Sequence, residues 1–136
     1  MKPFALWLCL ALAGFGALGG GYHLYLSEHP RRILVAVDAS YPMRSAWPAV
    51  RAALGRIEQR PYATFSLYTE KGKVHGWADR LSAGKLQPYA PRNLAGLPTG
   101  AGAPELEQAS ERVLVTNAPA AELGAFAGWR IVRPAP

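Results

Sequence analysis

Ile33-Leu34-Val35-Ala36-Val37, followed by Asp38-Ala39-Ser40-Tyr41-Pro42-Met43, is the stretch from which the rest of the chain can be placed. An unbroken apolar run rich in β-branched residues, with no polar alternation, predicts a strand buried on both faces of a parallel sheet. It ends at Asp38. Beyond the turn, Met43, Trp47, Val50, Leu54 and Ile57 recur at a spacing that lays five large apolar side chains along one face of a helix. Ser45 is placed to cap that helix, Pro48 sits in its first turn, where a missing N–H removes no intrahelical bond, and Pro61 stops it. In open α/β sheets, ligands occupy the crevice beyond the carboxyl ends of the strands, so a strand, an acidic turn and a helix in that order put Asp38 and Ser40 at the candidate site.

The remainder extends the same alternation. Residues 62–68 form a second strand, Glu70-Lys71-Gly72-Lys73 a hairpin turn, and residues 74–77 a short returning strand at the sheet edge. His75 has no histidine or cysteine at ligand spacing and reads as a surface or capping residue. Residues 79–102 are irregular: a helical turn fits residues 80–84, but Pro88, Pro91 and Pro98 with several glycines preclude a long element. Within it, Tyr89-Ala90-Pro91-Arg92-Asn93-Leu94 reads as a fixed loop, and Tyr89, Arg92 and Asn93 are the candidate partner-binding residues. A helix over residues 104–111, a buried strand over 112–117 closed by Asn117, a helix over 120–127 stopped at Gly128 and a strand over 129–133 complete the chain. The expected class is α/β: a small, doubly wound, mostly parallel sheet with one antiparallel edge strand, spanning residues 33–136.

Asp38-Ala39-Ser40-Tyr41-Pro42-Met43 resembles the Asp-x-Ser-x-Ser-Met turn that closes the first strand of von Willebrand factor A domains and opens their metal-ion-dependent adhesion site, with Pro42 where that family has its second serine. The order of elements over residues 31–133 is similar to that of the family with its last helix missing. Where the family ends a later strand in Thr-Asp-Gly, this chain has Thr116-Asn117-Ala118. Gly100-Ala101-Gly102-Ala103 is similar to the family's Gly-Gly-Thr loop but lacks the hydroxyl. The resemblance thus implies a Rossmann-like scaffold with a degenerate metal site, of whose expected oxygen ligands only Asp38 and Ser40 stand in matching positions. No cofactor is expected. A Mg²⁺ ion held by one carboxylate and one hydroxyl would be bound weakly, since that ion demands near-octahedral oxygen geometry. The alternative role for Asp38 and Ser40 is to accept hydrogen bonds from the N–H groups of the turn and to favour the helix start. Bacterial proteins of this kind commonly assist the assembly or maturation of envelope or metalloenzyme complexes, which the resemblance makes the expected class of function.

The amino terminus directs the chain to a membrane. Residues 4–26 are nearly uncharged, about the length needed for a helix to cross a bilayer. Trp7, Tyr22 and Tyr25 suit the interfacial belts. Two readings fit: an anchor over residues 1–26 followed by a linker over 27–32, or a signal peptide cleaved after Ala17-Leu18-Gly19; the aromatic residues beyond that point favour the anchor. Lys2 on one side and Arg31-Arg32 on the other nearly balance the charge rule, and the short amino-terminal segment makes a single-pass inner-membrane protein with a periplasmic domain the expectation. Arg31 and Arg32 are expected among anionic headgroups. Cys9 is the one cysteine, so no disulfide forms within the chain. The net charge of +6 lacks the interleaved basic and aromatic residues of a nucleic-acid surface.

Enzyme classes find little to build on. A strand ending in aspartate resembles the phosphoaspartate enzymes of the haloacid dehalogenase type, in which Asp38 would be the nucleophile. Their acid/base aspartate two positions on is Ser40 here. There is no serine–histidine nucleophile elbow, Gly-rich phosphate loop with lysine, or Cys-x-x-Cys. The expectation is a non-catalytic interaction domain with a protein partner.

Overall fold

In the computed structural model, which describes residues 2–100 and 102–135, β1 (Arg31–Val37) is the middle strand of a five-stranded sheet. Its last five residues are buried on both sides, as an unbroken apolar run requires. β1 pairs in parallel with β2 (Ala63–Thr69) on one side and β4 (Glu111–Val115) on the other. Across them Val35 lies opposite Leu67 and Val113. β3 (Gly72–Ala78) returns antiparallel to β2 at one edge, and β5 (Arg130–Val132) lies parallel to β4 at the other, giving the order β3-β2-β1-β4-β5. The chain leaves β1 in one direction and later crosses it to reach β4, so the topological switch point lies between the carboxyl ends of β1 and β4.

Alternate side chains of β1 enter two cores. Ile33, Val35 and Val37, with Phe65, Leu67, Val113 and Val115, pack beneath α2 (Trp47–Glu58), which buries Val50, Ala53, Leu54 and Ile57. Burying each large side chain is worth about 1.5–3 kcal/mol, enough to hold a twelve-residue helix that would be marginal alone. Leu34, Ala36, Tyr68 and Leu114 face the other side, covered by Leu97, by Leu106 of the short helix α3 (Pro104–Gln108) and by Phe126. The hairpin turn expected at residues 70–73 is present, with Gly72 supplying a φ of +119°. Gly96 carries a tighter constraint: a Cβ there would run into the backbone carbonyl oxygen of Glu70.

Several local expectations are corrected. Met43 is not on α2 but in a 3-10 turn, Tyr41–Met43, from which it still fills the same core. Ser45 does not cap α2: Ala46 holds that position without a side-chain bond, and Pro48 stands in the first turn. No helical turn forms over residues 80–84. The helix expected over 104–111 stops at Gln108, because Glu111 already belongs to β4. Residues 120–127 form two 3-10 turns, Ala120–Glu122 and Gly124–Phe126, in place of an α-helix; Phe126 is their only buried side chain, too little apolar surface to hold a longer cylinder. Gly128 follows at φ +81°.

The unit Met1–Pro30 is separate from Arg31–Pro136. It consists of α1 (Lys2–Glu28), 27 residues with a mean hydropathy of 1.7 in its most apolar part and no buried residue. At about 1.5 Å per residue it exceeds the roughly 30 Å hydrocarbon core, so it is long and apolar enough to cross a bilayer. The expected linker over 27–32 shrinks to two residues, since Ser27 and Glu28 extend α1 while Arg31 and Arg32 begin β1. Arg32, expected among lipid headgroups, lies over the Trp77 ring with its Cζ 5.8 Å from the centroid.

Candidate functional site

Asp38 leaves β1 one residue past its last paired position and continues the ladder, its N–H donating to the Val115 carbonyl at 3.0 Å. That fixes the side chain at the switch point, where it is 1% exposed. Every observed partner of the carboxylate is a donor. Oδ1 accepts the Ser40 N–H at 3.1 Å, and Oδ2 accepts both the Thr116 hydroxyl at 2.7 Å and Arg92 Nε at 3.1 Å. Thr116 stands at the end of β4 and accepts the Ala118 N–H at 3.0 Å, so its single hydroxyl ties the two strand ends together.

Arg92 arrives from the irregular segment. Ala90 forms a parallel bridge with Ser40, the Tyr41 N–H donates to the Ala90 carbonyl at 2.8 Å, and the Tyr89 N–H donates to the Ala39 carbonyl at 3.2 Å. This short zipper brings the guanidinium over the strand ends, where it also bonds Asn117 Oδ1 and lies 3.8 Å from Glu122 Oε2. Asn117 in turn donates through Nδ2 to the Pro42 carbonyl at 2.9 Å. A charge-assisted bond to a buried carboxylate is the strong form of a hydrogen bond, and the planar guanidinium suits several oxygens at once.

The sequence-predicted residues therefore divide. Asp38, Ser40, Asn117 and Arg92 are brought together; Tyr89 and Asn93 are exposed beside them. Arg92 is turned inward onto Asp38 as an internal cation. Asp38 accepts from the turn as expected, whereas Ser40 does not: its Oγ is buried without a partner. Thr116 and Glu70 were not anticipated. Glu70 Oε2 accepts the Ala39 N–H at 2.9 Å, holding the turn from the hairpin side.

Donors of the chain itself occupy both Asp38 oxygens, a guanidinium supplies the positive charge beside them, and Ser40 Oγ is the one oxygen of the pair left open. Among the described residues no three histidine, cysteine, aspartate or glutamate side chains gather into a metal-binding group. The segment similar to the family's threonine loop includes Ala101, which lies outside the described residues.

A second polar cluster sits on the opposite sheet face. Glu105 is 6% exposed and accepts the Tyr68 hydroxyl at 2.7 Å and Lys73 Nζ at 2.9 Å. The Tyr68 hydrogen bond holds the Glu105 carboxyl below its ordinary range, against burial that pushes it up, with Lys73 adding to the lowering. Burial, then the bond to Glu105 and its charge, push the Tyr68 phenol up to about 12. A buried carboxylate matched by two donors anchors α3 to β2 and β3 and leaves nothing reactive open.

No protein family, curated protein or solved structure matches this chain.

Proposed function

We propose that this is a membrane-anchored, non-catalytic interaction domain of von Willebrand factor A-like architecture that meets its partner without a metal ion, Arg92 taking the electrostatic part that a cation plays at the strand ends. The order β3-β2-β1-β4-β5 with an antiparallel β3, and an aspartate at the switch point, support the architecture. The observation that carries the functional half is the guanidinium on Asp38: an internal, covalently tethered cation satisfies the carboxylate permanently, with no dependence on ion supply. The same burial argues against Asp38 as a nucleophile, because a phosphate ester has no line of approach to an oxygen at 1% exposure. α1 is the single anchor of an inner-membrane protein with its domain on the periplasmic side, and the partner belongs to an envelope or metalloenzyme complex that this domain helps to assemble.

The orphaned Ser40 Oγ is the observation on the side of the alternative, a Mg²⁺-dependent ligand-binding domain using Asp38 and Ser40. Two measurements decide. Titration calorimetry of the full chain in detergent should give no heat with millimolar Mg²⁺ or Mn²⁺, and crosslinked partners captured from membranes should be the same with and without EDTA. Micromolar binding abolished in Asp38→Ala, or capture lost in EDTA, overturns the ion-free reading. Turnover of p-nitrophenyl phosphate lost in Asp38→Asn overturns the non-catalytic one.

A further inference from the structure

Between the turn after β1, the first turns of α2 and the loop that carries Tyr89 lies a cleft of about 490 Å³, within the usual range for ligand sites. Its walls are Tyr41, Trp47, Pro88 and Tyr89, and its charged residues are Arg44 and Arg51. Among the described residues no carboxylate lines it. Arg44 and Arg51 are exposed and make no ion pair among the described residues, in contrast to Arg60, Arg92 and Arg130, each of which faces a glutamate or aspartate. Tyr41 and Tyr89 are each more than half exposed, and Lys71 Nζ lies 3.4 Å from the centroid of the Tyr89 ring, adding a further positive charge to the same rim. Trp47 Nε1 is buried without an acceptor.

We infer that this cleft is the partner-docking site and that it takes an acidic peptide segment, with carboxylates on Arg44 and Arg51 and an apolar side chain between Trp47, Pro88 and the two tyrosines. The inference rests on the interaction-domain reading and gives its partner a chemistry. Tyrosine, tryptophan and arginine are the residue types that dominate binding energy at protein interfaces, and here five of them converge on one concavity. Arginine forks read carboxylates bidentately, while unbalanced positive charge steers an acidic partner and rejects a basic one. Trp47 and Arg51 lie four residues apart on one face of α2, so aromatic platform and charge are presented together by a rigid element and not by a loop. The rival groove, between α2 and β5, also carries arginines, of which Arg60 and Arg130 are paired with Glu111 and Arg56 and Arg133 are not, but no aromatic side chain lines it among the described residues.

The test follows the indole N–H resonance of Trp47, identified by its loss in Trp47→Phe, in isotope-labelled full-length protein in a zwitterionic detergent. The probe is a capped pentapeptide alternating glutamate and leucine, with a glutamine counterpart as control. The glutamate peptide should shift the resonance saturably, the glutamine peptide should bind at least about tenfold more weakly, and Arg44→Gln with Arg51→Gln should weaken the glutamate peptide by at least about tenfold while spectral dispersion is retained. An unmoved resonance, equal response to both peptides, equal response to inorganic phosphate, displacement by phosphatidylglycerol vesicles in preference to peptide, or indifference to the arginine changes overturns the inference. Partner capture from membranes that persists in the double arginine variant places the partner elsewhere and leaves the interaction-domain reading standing. Capture that fails in EDTA sinks the ion-free part of that reading and not the peptide titration.

Discussion

Removing the Arg92 guanidinium tests the arrangement at the strand ends directly. In Arg92→Met the side chain keeps most of its length and apolar stem, but Asp38, 1% exposed, is left with the Thr116 hydroxyl and the Ser40 N–H as its donors among the described residues. Taking one partner from a buried ion pair costs about 3–5 kcal/mol, most of it the penalty for the charge left behind. The Arg92 side chain is 19% exposed and two hydrogen bonds to Asp38 survive, so the lower end applies, about 3 kcal/mol. For a domain of this size that corresponds to roughly 10–20 °C in melting temperature, or a fall of about 1–3 M in the urea midpoint. Full-length protein in detergent, unfolded in urea and followed by tryptophan fluorescence, provides the measurement. Asp38→Asn alone should cost less, about 1–2 kcal/mol, because Arg92 retains Asn117 and Glu122. The double variant Asp38→Asn with Arg92→Met should lose well under the sum of the two losses, since neither charge then remains. A loss for Arg92→Met under about 0.5 kcal/mol, or simple additivity in the double variant, would show that solvent screens the pair and would refute the role given to Arg92.

Other outcomes follow from the same geometry. Gly96→Ala forces a methyl against the Glu70 carbonyl and should cost about 1–3 kcal/mol by urea denaturation, whereas Gly55→Ala, with open space at its Cβ, should be neutral or stabilising. Glu105 has its carboxyl lowered from 4.5 on folding, so its contribution is present above that value and is lost as pH falls through the folded one; Glu105→Gln should flatten the acid limb of the stability profile. Tyr68, raised from 10.0 to about 12, contributes below pH 10.0 and loses that contribution as pH rises towards 12; ultraviolet titration should show one late phenol that disappears in Tyr68→Phe and moves down in Glu105→Gln. After alkaline carbonate extraction the full chain should stay with the membranes, and a chain lacking residues 2–28 should not.

What could be read from the chain directly was whatever depends on near neighbours. The central strand, the amphipathic α2, the hairpin through Gly72 and the buried β4 each announce themselves by the spacing of apolar residues, because burial against a sheet imposes a period of its own on any segment that packs there. Residues 120–127 misled for the same reason in reverse: helix-compatible composition says little when only Phe126 has a core to enter. The candidate site was half visible. Asp38 and Ser40 are local to one turn and stand out as such, but Arg92 reaches Asp38 across 54 positions and Thr116 across 78, and no pattern within a window reports a contact that only the crossing of β1 by the chain creates. Local sequence thus determined that an acidic turn ends a buried strand. The tertiary structure alone decided that an arginine from a distant loop neutralises it, because electrostatic partners are chosen by distance in space, and the path of the backbone between them is free to be anything that closes the sheet.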